Sequence, residues 1–188
     1  MEKKIGGGNI AGGNPARGRV SKDFYATPEI ATEKLLEVEH FEGLILEPAC
    51  GMGHISKILE KKYSVKSFDI ENRGYGDKQD FLLYNEFADN VVTNPPFSLF
   101  QEFAEHSLEI TNSKVCLFGK LQALEGQKRS VFLETSPLKT VYVFRKRINP
   151  MRDGKETDEK GKRWASTMAF AWYVWEKGYE GKPTIEWI

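Results

Sequence analysis

The sequence predicts an α/β fold, a mostly parallel, twisted sheet of about seven strands with helices on both faces. Short apolar runs typical of buried strands alternate along the chain with segments whose apolar residues recur at helical spacing. Such alternation favours parallel strands joined by crossover helices. After residue 138 two apolar runs remain, and they indicate that an antiparallel strand closes the sheet. The 188 residues are enough for one domain.

The first half of the chain predicts a helix followed by strands and a glycine turn. Thr27 can cap the helix, Pro28 suits its first position, and helical spacing continues to near Gly43. The elements expected next are a strand at 44–46, a glycine turn at 51–53, a helix with Ile55, Ile58 and Leu59 on one face, a strand from Val65 to Phe68 ending at Asp69, and a short extended piece around Asp80-Phe81.

The second half predicts a strand at 89–93, which the sequence Asn94-Pro95-Pro96-Phe97 ends abruptly. Ser98 and Gln101 form a capping box for the helix that follows. Its apolar face carries Phe100, Phe103, Ala104 and Leu108. The remaining elements are a strand at 115–118, a helix at 127–135, and strands at 140–144 and 169–175.

Two segments stand outside this pattern. Residues 1–22 hold six glycines and five basic residues against one acidic residue, which predicts a flexible basic arm ahead of a single domain at 23–188. Residues 148–164 predict a charged loop, either functional or a solvated hairpin tip. The arm and the segment 145–164 are basic patches on a chain of zero net charge, and such patches can contact a polyanion.

Cysteine usage and hydropathy exclude other classes. Cys50 and Cys116 lack metal-ligand spacing, and no histidine is placed to complete a zinc site, so no metal is expected. No uncharged apolar run approaches the roughly 20 residues that cross a bilayer, and the first residues lack the apolar core of a secretion signal. We therefore expect a cytoplasmic protein without membrane contact.

The glycine turn is the first candidate binding site. It belongs to the sequence Glu47-Pro48-Ala49-Cys50-Gly51-Met52-Gly53, at the carboxyl end of the first core strand, where open α/β sheets bind ligands. Asp69 ends the next strand, where an acidic side chain can accept hydrogen bonds from ribose hydroxyls. Alternatively, Asp69 is an aspartate that only shapes the turn at the end of a strand. Its occurrence together with the glycine turn favours a nucleoside site.

The second candidate is Asn94-Pro95-Pro96-Phe97. Two prolines force a rigid, extended exit from the strand and hold carbonyl groups in fixed positions. An amino group conjugated to a purine ring is a weak nucleophile. If the Asn94 side-chain oxygen and the Pro95 carbonyl accept its two protons, its lone pair is directed at an electrophilic methyl group. Phe97 would then offer a face for the base, and such stacking contributes roughly 1–3 kcal/mol.

These motifs resemble the Rossmann-like class I methyltransferases that depend on S-adenosylmethionine and methylate amino groups. The chain is most similar, over about residues 23–118, to small adenine-specific DNA methyltransferase-like proteins of bacteria and phages. The resemblance implies that 23–188 is a catalytic domain. It implies that Tyr25 and Thr27 belong to a motif that contacts the methionine part of the cofactor. The main cofactor motif would contain Glu47, Ala49, Gly51 and Gly53, with Glu47 placed for the methionine amine. The cofactor's ribose and adenine would contact Asp69, Ile70, Asp80 and Phe81, and the catalytic residues would be Asn94, Pro95, Pro96 and Phe97.

The expected reaction is methylation of adenine N6 in DNA. RNA adenine or guanine, or a protein glutamine amide, would suit the same tetrapeptide, and an inactive nucleic-acid-binding module remains as an alternative. A dehydrogenase is disfavoured because Ser56 occupies the third glycine position of the dinucleotide fingerprint. Larger relatives carry a target-recognition domain, for which the remaining residues leave no room. Nucleic acid, with DNA favoured over RNA, would therefore contact the basic arm and residues 145–164.

Overall fold

The computed structural model describes residues 25–149, 151–152, 154, 157, 159–161 and 168–188. The predicted basic arm at 1–22 and part of the predicted loop at 148–164 lie outside these residues. Within them the strands are β1 (Tyr25–Ala26), β2 (Leu44–Glu47), β3 (Ser64–Asp69), β4 (Asp77–Lys78), β5 (Ala88–Thr93), β6 (Thr111–Lys120), β7 (Leu138–Val143), β8 (Met151–Arg152), β9 (Phe170–Glu176) and β10 (Thr184–Trp187). The α-helices are α1 (Glu29–Val38), α2 (Ser56–Leu59), α3 (Phe100–Ile110) and α4 (Gln127–Thr135). None of these helices is long and apolar enough to span a bilayer.

Eight strands form the main sheet in the order β10-β7-β9-β6-β5-β2-β3-β4. Neighbouring strands are parallel except where β9 runs antiparallel to β6 and β7, so the predicted mostly parallel sheet with an antiparallel closing strand is confirmed. The sequence did not predict β10, which pairs with β7 at the sheet edge. Its four residues are all exposed, and so short a segment carries little apolar pattern.

The helices cover both faces of the main sheet, as predicted. α1 and α2 pack on one face, where Leu35 is fully buried, and α3 and α4 cover the other, where Phe103 is buried. Successive strand residues alternate between the faces, so that Val91 and Val92 belong to different apolar clusters. Since both faces are filled with apolar side chains, polar groups concentrate at the strand ends.

Two local predictions about helix starts are wrong. Pro28, rather than Thr27, is the residue that precedes α1, and no side-chain hydrogen bond caps this helix. The Thr27 hydroxyl instead accepts a hydrogen bond from Asn94, a contact between segments far apart in sequence. The predicted capping box of Ser98 and Gln101 does not form. A 3₁₀ turn precedes α3, and the residue just before this helix is Leu99, so no side-chain hydrogen bond caps it.

The predicted extended piece around Asp80-Phe81 is also wrong. The extended segment is β4, slightly earlier in the chain, and Phe81–Leu83 forms a 3₁₀ turn. Asp80 begins this turn because its carboxylate accepts a hydrogen bond from the backbone N–H of Leu82. A short aspartate-capped turn has no periodicity that distinguishes it from an extended piece.

A second, two-stranded sheet lies beside the main one. β1 pairs antiparallel with β8, so that Tyr25 is opposite Arg152 and Ala26 is opposite Met151. Gly154, just after β8, lies close to the Met52 sulfur in the glycine turn. Part of the segment predicted as a charged loop is therefore the strand β8. By pairing with β1 it holds the residues that lie just before α1.

Candidate active site

A cleft of about 160 Å³ lies at the carboxyl ends of β2, β3 and β5. It contains most residues singled out from the sequence, namely Tyr25, Thr27, Glu47, Ala49, Asp69, Ile70, Asp80, Phe81, Asn94, Pro95 and Pro96. Gly51, Gly53 and Phe97 do not line it. The structure thus brings together the two motifs, which are far apart along the chain, because β2 and β5 are neighbours in the sheet.

Glu47 is a buried carboxyl group at the end of β2. It is 1% exposed, and its Oε2 accepts hydrogen bonds from the Ser56 hydroxyl and from the Ser56 backbone N–H, the latter at 2.7 Å. Burial raises the pKa of Glu47 to about 8, a rise that the nearby Asp69 charge reinforces and the Ser56 hydrogen bonds oppose. Among the described residues no cation forms an ion pair with Glu47.

The two glycines shape the turn above Glu47. Gly51 and Gly53 both have positive φ, at 56° and 77°. A Cβ on Gly53 would lie 2.6 Å from the ring of Tyr75, so only glycine fits between that ring and the turn. These two residues act on the shape of the cleft rather than forming its surface.

Asp69 holds the glycine turn in place. Its Oδ2 accepts the backbone N–H of Gly51 at 2.9 Å, and its Oδ1 accepts that of Glu71 at 2.9 Å. This is the turn-aspartate role that the sequence left open as an alternative. Each carboxylate oxygen has a further lone pair, and Asp69 also lines the cleft, so the ribose contact stays a prediction.

An apolar patch forms another part of the cleft wall. Ile70 is 54% exposed beside the strand end, whereas Phe81 is 2% exposed and packs against Phe103 and His106, with 4.8 Å between the ring centroids in each pair. Together these side chains offer apolar surface to a flat ring. Asp80, at the start of the 3₁₀ turn, adds a carboxylate beside it.

Asn94 has one polar atom engaged and one left over. Its Nδ2 donates to the backbone carbonyl of Tyr25 at 2.8 Å and to the Thr27 hydroxyl at 2.9 Å. Because a carbonyl can only accept, this pair fixes which way the amide is turned. Asn94 Oδ1 is buried and has no hydrogen-bond partner among the described residues. A buried acceptor without a partner is costly, so this oxygen is suited to a donor from a bound molecule.

Phe97 lies beside the cleft and contacts other aromatic rings. It stacks on Tyr25, with ring centroids 5.9 Å apart and an angle of 23° between planes, and it lies 5.8 Å from Phe170. Lys120 Nζ lies 4.6 Å from the centre of its ring. Tyr25 is therefore the member of this group that lines the cleft, and the predicted contact of Phe97 with a base stays a prediction.

The sequence analysis missed several lining residues. His54 lines the cleft, and burial followed by the Lys57 charge lowers its pKa. Arg73 and Leu99 also line it. All three come shortly after a strand or motif at the carboxyl edge of the sheet, and this position was the available signal. Cys50 is in the lining too, but burial raises its pKa to about 12, so its thiol stays protonated.

Comparison with known proteins identifies the family. Residues 49–177 match the sequence model of the adenine-specific methyltransferase EcoRI family. The chain belongs to this family. It is accordingly an S-adenosylmethionine-dependent N-methyltransferase specific for adenine, which confirms the reaction class and cofactor expected from the motifs. No curated protein sequence matches the chain significantly.

Solved structures support the fold of this methyltransferase. A Pyrococcus horikoshii protein described as an RNA methyltransferase shares 15% identity, with a TM-score of 0.64 over 86% of this chain and 90% of that one. A Vibrio vulnificus protein described as the modification subunit of a type I restriction enzyme shares 14% identity, with a TM-score of 0.57 over 92% of this chain and 48% of that one. A predicted O-methyltransferase of Agrobacterium tumefaciens shares 13% identity, with a TM-score of 0.58 over 85% of each chain. The class I methyltransferase fold is confirmed.

The cleft of the methyltransferase fits the chemistry of its cofactor. Glu47 is a buried carboxyl group without a cation partner among the described residues, which suits the ammonium of a methionine chain. Ile70 and Phe81 offer apolar surface for an adenine ring, and Asp69 and Asp80 offer acceptors for hydroxyl and amino groups. The carboxyl groups and apolar side chains of the cleft therefore match S-adenosylmethionine from its ammonium group to its adenine ring.

Proposed function

We propose that the protein methylates the exocyclic N6 amino group of adenine in DNA. The observation that carries the proposal is Asn94, whose amide is fixed by two hydrogen bonds and whose Oδ1 is buried beside the cofactor turn without a partner among the described residues. DNA is favoured because the family is named for an adenine-specific methyltransferase and one fold neighbour is described as part of a restriction enzyme.

The residues supply position and hydrogen bonding. Asn94 Oδ1 and the Pro95 carbonyl accept the two protons of the adenine amine, which turns the nitrogen lone pair toward the methyl group. S-adenosylmethionine supplies that methyl group as an electrophile bonded to a sulfonium sulfur. The bound cofactor would supply the methyl carbon and retain the sulfur as the leaving group, and the proton displaced from the amine would pass to water. No residue forms a covalent bond to substrate, in agreement with the protonated Cys50.

In this proposal the cofactor is held by the residues that the motifs indicated. Glu47 binds the ammonium group, Asp69 the ribose, and Ile70 and Phe81 pack against the adenine ring. An ionised Glu47 is favoured once a cation lies beside it, so cofactor binding is expected to lower the raised pKa of this residue.

In this proposal the nucleic acid contacts exposed basic residues of the chain. Arg145, Lys146 and Arg147 are exposed and follow β7, and the basic arm at 1–22 would add to them. Such contacts neutralise phosphates and carry little sequence information. We place the protein in the cytoplasm, where its nucleic acid and cofactor are present.

A tritiated-methyl transfer assay on separate DNA, RNA and protein pools tests the proposal. Label is expected in DNA, and nucleoside mass spectrometry is expected to identify it as N6-methyladenine. Asn94→Ala should lower kcat by roughly 10²–10³-fold, the loss typical of one fixed hydrogen-bonding group at a reacting centre. Calorimetry should show that this variant still binds S-adenosylmethionine.

Three outcomes would contradict the proposal. Label confined to RNA or to glutamine amides would change the substrate, and no label in any pool would favour an inactive binding module. Unchanged kcat in the Asn94 variant would remove the assigned role of that residue.

A further inference from the structure

The Thr27 side chain carries a buried hydroxyl group that does not cap α1. The residue is 2% exposed, and α1 begins after Pro28 without a side-chain cap. Its Oγ lies 2.9 Å from Asn94 Nδ2 and accepts a hydrogen bond from it. The only motif-based role for Thr27 is contact with the methionine part of the cofactor, which does not explain this bond.

The Asn94 amide depends on two acceptors for its orientation. The Tyr25 carbonyl accepts one proton of Nδ2 at 2.8 Å, and Thr27 accepts the other. With one acceptor alone the amide can still rotate about its terminal torsion, which is broad for asparagine. With both, the rotation that would exchange Nδ2 and Oδ1 breaks the bond to the Tyr25 carbonyl, forces the Thr27 hydroxyl to change from acceptor to donor, and directs a donor at the substrate amine.

We propose that Thr27 is a positioning residue for the methyl-transfer step, holding the Asn94 amide so that Oδ1 accepts from the target amine. This inference rests on the proposed function and deepens it. Thr27 acts through Asn94, so its contribution appears in the rate of the bound complex. A residue acting only on the cofactor would instead change cofactor affinity.

Thr27→Val and Thr27→Ser separate these roles. Valine has nearly the same shape but no hydroxyl, and serine keeps the hydroxyl. Thr27→Val should lower kcat at saturating cofactor and DNA by about 5- to 10-fold, the loss expected for one hydrogen bond, with the cofactor Kd changed less than about twofold. Thr27→Ser should recover most of the lost rate. A raised cofactor Kd with unchanged kcat would overturn the proposal.

A double-mutant cycle adds a second, independent measurement. In the Asn94→Ala background there is no amide to hold, so Thr27→Val should have no further effect on the residual single-turnover rate. Equal fold-losses in both backgrounds would overturn the proposal. If Thr27→Val lowers Tm, Thr27→Ala replaces it in the same cycle, since alanine also lacks the hydroxyl and places no methyl group against the Asn94 amide.

The outcomes distinguish this inference from the proposed function. Wild-type protein that labels no DNA refutes the proposed function. Wild-type protein that labels DNA, together with a Thr27→Val variant of equal kcat, refutes only the role of Thr27.

Discussion

Glu39 and Glu47 are buried glutamates at opposite ends of the same sheet, and their surroundings differ. Glu39, near the start of β6, accepts a hydrogen bond from Lys114 Nζ at 2.6 Å and another from the Tyr142 hydroxyl at 2.9 Å. Glu47, at the carboxyl end of β2, receives hydrogen bonds only from Ser56 within the described part of the chain, and its pKa is raised to about 8 by burial. The fold thus gives Glu39 a cation partner, whereas the Glu47 carboxyl group in the cleft is left for a ligand.

Replacing Glu47 by Gln should change the pH dependence of stability most. Burial raises the pKa of Glu47 from 4.5 to about 8, so the folded protein resists an ionisation that the unfolded chain undergoes. Wild-type stability is therefore lost as pH rises from about 4.5 to about 8, and the variant is spared this loss. Urea unfolding should show the variant gaining roughly 3 kcal/mol over wild type between pH 5 and pH 8.

The same variant should bind S-adenosylmethionine at least about tenfold more weakly, because a charged hydrogen bond to the ammonium group is lost. Calorimetry measures this affinity. The prediction is contradicted if unfolding free energy depends on pH in the same way in wild type and in the Glu47 variant, or if the affinity for S-adenosylmethionine is unchanged. Glu47 would then be a structural residue like Glu39.

Replacing Glu39 by Gln should lower stability and leave methyl transfer unchanged. It leaves Lys114, whose side chain is 19% exposed, without its closest carboxylate, and unfolding free energy should fall by about 2 kcal/mol. Thermal unfolding measures the loss. Methyl transfer at a temperature where the variant is fully folded should match wild type, since Glu39 does not line the cleft. A lower kcat under those conditions would break the division between the two ends.

The backbone above Glu47 offers a smaller effect that sharpens the comparison. Gly53→Ala places a Cβ against the Tyr75 ring at positive φ and should cost about 1–2 kcal/mol. Gly74→Ala is the matched control, because Gly74 also has positive φ but nothing within 4 Å of the added atom. Urea unfolding of both variants separates packing from backbone strain. Equal losses would mean that Tyr75 yields without cost.

Local patterns predicted what depends on few neighbours. The apolar runs of β5 and β6 and the rigid Asn94-Pro95-Pro96-Phe97 exit are properties of short segments, and the structure has them where the sequence indicated. The meeting of this exit with the glycine turn followed from a general rule about the carboxyl ends of parallel strands.

Contacts between distant segments could not be predicted in this way. The bond from Asn94 to Thr27 joins residues 67 positions apart, and Thr27 has every local property of a helix cap. The stacking of Phe97 on Tyr25 depends on the same long-range approach. In each case a local preference competes with a tertiary contact, and only the assembled fold decides between them.

The pairing of β1 with β8 has a consequence for how the protein becomes active. Each strand contributes two residues, and the paired residues Ala26 and Met151 lie 125 positions apart along the chain. So small a ladder cannot offset the entropy of closing so long a loop until the main sheet has brought its ends together. We therefore expect the wall that supports Asn94 to assemble late and to open early, so that catalysis is lost before the fold.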